Sequence, residues 1–239
     1  MAKDSHVEKI EACKQAVKMN PDYADAHANL GDAYQASFMY EEAIESYKQA
    51  IRIDPDDADV HYKLGVAYQA SFMYEEAIES YKQAIRINPD NALAHYNLGV
   101  AFAYGESGMY KEAIESYKQA IRINSDYADA HFNLGHAYYI LSMYKEAIDA
   151  FKQATRIDPD FAAAYFNLGL AYDNLGKYKK AIKSYKQAIR VDPNFTAAYF
   201  NLGLAHIFLN DRGSALVHYK ILQSLDSELA NKLYHYMYK

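Results

Sequence analysis

A Leu-Gly pair recurs down this chain at an almost constant stride, its glycines being Gly31, Gly65, Gly99, Gly135, Gly169 and Gly203, with spacings of 34, 34, 36, 34 and 34 residues. A repeat of this length leaves no room for one irregular core. Each copy must be a single supersecondary unit that buries its faces only against its neighbours. Five of the glycines are followed 24 residues on, or 26 in the longer third unit, by Pro55, Pro89, Ser125, Pro159 and Pro193, so a breaker closes each unit except where serine stands.

Within a unit the apolar positions fall three and four apart, as in Leu30, Ala33, Tyr34 and then Tyr40, Ala43, Ile44, Tyr47, Ala50, Ile51. This spacing predicts two helices per unit. A short turn such as Ala36 to Met39 separates them, and Asp54-Pro55-Asp56 ends the second. The third unit carries two extra residues within Tyr104 to Gly108, which predict a longer surface turn.

These residues resemble the tetratricopeptide repeat. Its small-residue slots are filled by Gly31, Ala43 and Ala50, its aromatic slots by Tyr34 and Tyr47, and its closing proline by Pro55; the same slots refill down the chain as far as Gly169, Tyr172, Ala181, Tyr185, Ala188 and Pro193. The resemblance implies an all-α fold, a right-handed superhelical solenoid of antiparallel helix pairs. The expected division is a half-repeat helix over 1–23, repeats over 24–57, 58–91, 92–127, 128–161 and 162–195, a degenerate sixth over 196–226, and a capping helix over 227–239. Leu229, Leu233 and Met237 recur on one side of that last segment.

In this family the first helix of each pair lines a concave groove, so the resemblance places there the residue before each Leu-Gly pair: Asn29, Lys63, Asn97, Asn133, Asn167 and Asn201. An asparagine amide both donates and accepts, and a row of them can pair with the backbone of an extended peptide. The arrangement resembles the asparagine ladder in the repeat domain of O-linked N-acetylglucosamine transferase. The alternative is that each amide bonds within its own or a neighbouring repeat. Beside the row lie Tyr62, Tyr96, Phe132, Phe166 and Phe200, and one turn on lie Asp32, Val66, Val100, His136, Leu170 and Leu204. Chaperone-binding relatives clamp a carboxylate with lysine, but Asp25, Asp59, Leu93, Asp129, Ala163 and Ala197 fill one such slot here and argue against a clamp.

The units 24–57 and 58–91 differ at six positions, four of them in the first helix: Ala26/Val60, Ala28/Tyr62, Asn29/Lys63 and Asp32/Val66. The frame was copied while the groove side changed, as selection on a binding surface or drift at tolerant positions would both produce.

Other features carry less chemistry. His27, His61, His95 and His131 recur in successive repeats rather than four apart on one helix, which suits packing better than metal ligation. No catalytic constellation, cofactor motif or phosphate loop is present, so an enzyme is disfavoured and no cofactor is expected. The single cysteine, Cys13, occupies the slot of Tyr47 and reads as a core residue in a reducing compartment. The net charge of −6 comes from interspersed acids and bases, which select neither nucleic acid nor an anionic membrane, and neither a signal peptide nor a membrane span is legible. The sequence predicts a cytoplasmic scaffold that binds a protein or an extended peptide.

Self-association is the competing expectation. Ser-Phe-Met-Tyr occurs at Ser37–Tyr40 and Ser71–Tyr74 where a later unit has Leu175-Gly176-Lys177-Tyr178, so Phe38, Met39, Phe72 and Met73 could form an apolar interface strip or pack inward. Gly108, Gly176 and Asn210 suit a left-handed helix end. At the N-terminus the stripe Ile10, Cys13 and Val17 has no preceding first helix, which predicts a weak homodimer through that end.

Overall fold

The computed structural model describes residues 2–105 and 108–238. Among these, every regular element is an α-helix: α1 (Ala2–Met19), α2 (Ala24–Ala36), α3 (Tyr40–Ile53), α4 (Ala58–Ala70), α5 (Tyr74–Ile87), α6 (Ala92–Tyr104), α7 (Tyr110–Ile123), α8 (Ala128–Ile140), α9 (Tyr144–Ile157), α10 (Ala162–Asn174), α11 (Tyr178–Val191), α12 (Thr196–Phe208), α13 (Arg212–Leu225) and α14 (Ser227–Tyr238). They pack as antiparallel helix pairs in two compact units, Met1–Ser125 and Asp126–Lys239. The first holds α1 and the pairs α2/α3, α4/α5 and α6/α7; the second holds α8/α9, α10/α11, α12/α13 and α14. Positions 106 and 107, within the insertion of the third repeat, lie outside the described residues.

The recurring glycine explains how a pair closes. A Cβ at Gly31 would lie 2.5 Å from Cε1 of Tyr47, so only glycine lets α2 sit directly on the α3 ring. Tyr47, Tyr81, Tyr117, Phe151 and Tyr185 are the fully buried aromatics of the second helices. Each contributes about 1.5–3 kcal/mol by leaving water. A buried hydroxyl needs a partner. Tyr47 donates to Asp32 Oδ1 at 2.8 Å, Tyr81 to Gln69 Oε1 at 3.1 Å and Tyr185 to Asp173 Oδ2 at 2.5 Å.

Between repeats the chain turns on local side-chain bonds. Asp54, Asn88, Asp158 and Asp192 each accept from the backbone N–H two residues on, which bends the chain across the proline. His27, His61 and His95 then donate from Nε2 to the carbonyls of Pro21, Pro55 and Pro89, at 2.8 to 3.0 Å. These histidines fasten the turn to the next first helix. Among the described residues, no group of three or more His, Cys, Asp or Glu is placed to hold a metal ion.

Inside the pairs the turn passes through one left-handed residue. Gly108, Gly176 and Asn210 occupy it as their chemistry suggests, and so do Phe38, Phe72 and Ser142, at φ near 60°. The N–H of Met39 reaches back to Tyr34 O and that of Phe38 to Gln35 O, the paired bonds of a Schellman end. That geometry turns Phe38 and Phe72 outward, each 78% exposed, so they do not pack inward.

Both ends depart from the simple repeat. On α1, Ile10 is buried and clusters with Leu30 and Ala33, with Cys13 and Val17 packed beside it, so these three face α2. Val7 and Met19 are the large apolar side chains that α1 leaves in water among the described residues. At the other end Gly203 receives not Tyr219 but Leu233 of α14, whose Cδ2 would lie 2.5 Å from an added Cβ. Tyr219 pairs with Tyr234 instead, at 5.5 Å between rings.

Candidate functional site

The first-helix faces of the two units differ in how their polar rows are held. In the first unit two of the three members of its polar row, Lys63 and Asn97, are engaged. Lys63 Nζ lies 3.0 Å from Asp32 Oδ2 and 3.0 Å from Asp59 Oδ2, so the residue that interrupts the asparagines is a strut to the preceding repeat. Asn97 donates through Nδ2 to the Tyr62 hydroxyl at 3.0 Å, again one repeat back. Asn29 is exposed on α2.

The second unit differs for a chemical reason. Phe132 and Phe166 stand where Tyr62 stands in the first, and a phenylalanine offers no hydroxyl to the asparagine of the following repeat. Asn167 and Asn201 therefore turn onto their own helices, donating from Nδ2 to Ala163 O and Ala197 O, each at 2.9 Å. One amide hydrogen is spent and the rotamer is held. The amide oxygen and second hydrogen of each remain available, beside the half-buried Asn133 at the equivalent place on α8.

The aromatic neighbours are partly structural. Tyr62 lies over Tyr81 and Tyr96 over Tyr117, both at 5.9 Å, while Phe132 lies over Phe151 and Phe166 over Tyr185, both at 5.8 Å. Their inner edges roof the buried ring of the same pair, and their outer edges floor the face. His136, Leu170 and Leu204 are half-buried one turn on, and burial lowers the His136 pKa, which favours a neutral ring. Phe200 ends the row differently, meeting Tyr236 edge-on at 6.5 Å. Here a depression of about 540 Å³ opens between Phe200 and α14, lined by Glu228, Asn231, Lys232, His235 and Tyr236. No reading of the repeats could find these α14 residues, because α14 is not a repeat helix.

Family models match in succession: TPR repeat over 39–71, 73–103, 103–142 and 135–176, and Tetratricopeptide repeat over 162–195. The chain belongs to the tetratricopeptide-repeat family. Among solved structures, this tetratricopeptide-repeat protein is similar to MamA, at 32% identity and a TM-score of 0.66 over 69% of this chain and 95% of that one. It is also similar to YrrB, described as a TPR protein with an unusual peptide-binding site, at 26% identity and a TM-score of 0.69 over 79% and 96%. The C-terminal part of a TPR repeat-containing protein from Cytophaga hutchinsonii shares the fold at 16% identity, with a TM-score of 0.81 over 97% and 95%. No curated protein sequence matches the chain. Among the described residues, no helix is long and apolar enough to cross a membrane.

Proposed function

We propose that the first-helix face of the second unit binds an extended polypeptide segment, as a non-catalytic scaffold in the cytoplasm. The observation that carries this reading is the state of Asn167 and Asn201, each anchored by one hydrogen while its carboxamide oxygen stays open above half-buried phenylalanines. Such groups can accept a peptide backbone N–H and donate to its carbonyl, independent of side-chain identity. The depression at Phe200 and Tyr236 suits one side chain of the ligand. The peptide-binding site named for YrrB is consistent with this use of the fold.

Peptides selected on the native chain from a displayed random library provide the test. Replacing Asn167 and Asn201 together by alanine is expected to weaken such a peptide about tenfold, the loss of one to two net hydrogen bonds, with little change in melting temperature. Asn97→Ala, whose amide is already committed to Tyr62, should leave affinity nearly unchanged. Unaltered binding by the double variant, or a large fall in its stability, would defeat the reading.

A second reading is favoured by the exposed phenylalanines. A left-handed backbone costs a non-glycine residue about 1–2 kcal/mol, and the strip spends this twice to hold Phe38 and Phe72 in water, beside Met39 and Met73. An apolar pocket of about 410 Å³, lined by His6, Val7, Ile10, Ala36, Ser37, Phe38 and Met39, joins the strip to the N-terminal helix. A second copy docking its own strip there is the occupant this reading names. Phe38→Gly with Phe72→Gly is expected to keep full stability, within about 1 kcal/mol, and to shift light scattering toward monomer. A parent that is monomeric at high concentration rules it out.

A further inference from the structure

The formal charge of −6 hides a reversal along one set of equivalent positions. On the second helices the three outward positions of the first two turns read Glu41, Glu42, Glu45 on α3 and Glu75, Glu76, Glu79 on α5. The same places on α9 hold Lys145, Glu146 and Asp149. On α11 they hold Lys179, Lys180 and Lys183, and Lys177 precedes them where Met39, Met73, Met109 and Met143 stand elsewhere. Helix α11 contains five cations, Lys186 and Arg190 included, and no acid.

This arrangement works against the helix that bears it. The earlier second helices begin with an acid in their first turn, which complements the positive end of the helix dipole, whereas α11 begins with lysines. Helices α3, α5 and α7 close an i,i+3 ion pair, Lys48–Glu45, Lys82–Glu79 and Lys118–Glu115, at 2.9 to 3.0 Å. In α9 the pair Lys152–Asp149 stretches to 3.8 Å, and in α11 Lys183 and Lys186 put like charges in its place. Like charges at that spacing oppose the helix. A full set of acids was available at these positions in the repeat pattern, so the lysines are not what folding requires.

The lysines also surround a depression. Lys145, Lys152, Lys177 and Lys180, with Asp149 among them, rim a hollow of about 250 Å³ between α9 and α11, and Ile148 and Tyr172 lie at its base. The Lys180 ammonium is held 5.6 Å from the centre of the Tyr172 ring, which positions one cation at the rim. The hollow is large enough for one apolar side chain.

We infer that this lysine-rimmed hollow on the outer side of α9 and α11 is a second docking surface, for a short acidic peptide segment with an apolar side chain among its carboxylates. The charge matches a row of carboxylates, and Ile148 and Tyr172 add a small apolar contact at the base. Asp149 is the one acid in this rim, and it lies 3.8 Å from Lys152, which leaves Lys145, Lys177 and Lys180 as the excess of charge. The surface is distinct from the asparagine face on α10 and α12, so a peptide-binding defect at one leaves the other intact.

The probe is a fluorescein-labelled peptide with one leucine between pairs of glutamates, followed by anisotropy. Lys179→Glu, Lys180→Glu and Lys183→Glu, the residues of α3 and α5, should together weaken it at least about tenfold, while the melting temperature stays equal or rises. Raising salt to about 1 M, where the Debye length falls to about 3 Å, should have a similar effect on the native chain. Asn167→Ala with Asn201→Ala should leave this binding unchanged. Lys145→Glu with Lys177→Met, residues of the first repeat, provides an independent variant should the triple one misfold. Equal affinity in the folded variants overturns the inference. So does tighter binding of a single-stranded oligonucleotide or a phosphatidylserine vesicle than of the peptide. A dimer that becomes monomeric in the triple variant would instead make a second copy, through its Glu41, Glu42 and Glu45, the occupant, and would overturn the peptide assignment.

Discussion

Gly169→Ala is expected to destabilise the second unit by about 2–3 kcal/mol, the upper range for forcing an extra carbon into a packed site. The new Cβ would lie 2.3 Å from Cε1 and 2.6 Å from Cδ1 of Tyr185. That ring cannot retreat. It is fully buried, its hydroxyl is bonded to Asp173, and Phe166 covers its face at 5.8 Å. Better helix propensity returns about 1 kcal/mol to alanine, which the clash exceeds. Gly203→Ala is the internal control, because the obstructing atoms are the methyl ends of the flexible Leu233 side chain rather than a ring fixed by a hydrogen bond. Its net effect should stay within about 1 kcal/mol. Urea denaturation followed by circular dichroism measures both, and equal midpoints for the two variants would contradict this account of the glycines.

The second large effect is a pH dependence hidden by cancellation. Burial pushes the Asp173 carboxyl up to about 6, although the Tyr185 hydroxyl bond pulls the other way. Burial, aided by the charges of His206 and Lys186, pushes His218 down to about 4. Each has one buried atom without a hydrogen-bond partner, Asp173 Oδ1 and His218 Nδ1. The signs oppose. Asp173 holds its proton more tightly folded than unfolded, so its penalty is full above about 6 and is relieved as pH falls toward its ordinary 3.8. His218 favours the neutral ring when folded, so its contribution is intact above its ordinary 6.5 and is lost as pH falls from there to about 4. Between about pH 4 and 6 the native chain should therefore change little through this pair.

Asp173→Gln separates the two. Gln35 and Gln69 occupy the same slot in α2 and α4, and Gln69 accepts from Tyr81, so the variant keeps an acceptor while removing a buried charge. It should be more stable than the native chain at pH 8. It should also lose stability on acidification below about 6.5, with a slope no greater than one proton, ~1.4 kcal/mol per pH unit, and about half that given the partial exposure of His218. His218→Phe should show the opposite trend and gain stability as pH falls. Identical pH profiles for native chain and variants would refute the assignment.

Much of this molecule is local and was legible in sequence. The 34-residue stride, the two helices per repeat and the left-handed turns at Gly108, Gly176 and Asn210 follow from apolar spacing and from what glycine, proline and asparagine do to a backbone. Those preferences act over a few residues. The orientation of Phe38 and Phe72 was open in sequence, because Schellman hydrogen bonds, rather than the taste of the side chain, set the backbone there. The state of each asparagine was open too, since it depends on whether the residue 35 positions earlier brings a hydroxyl, as Tyr62 does for Asn97. The stripe of Ile10, Cys13 and Val17 has no first helix before it in sequence, yet it packs on α2, which buries Ile10 and leaves Val17 half-buried, and Leu233 takes the place that periodicity gives to Tyr219. Periodicity specifies which residues are equivalent. Only the packed neighbours decide which of them have a hydrogen bond, a charge or a surface left to offer.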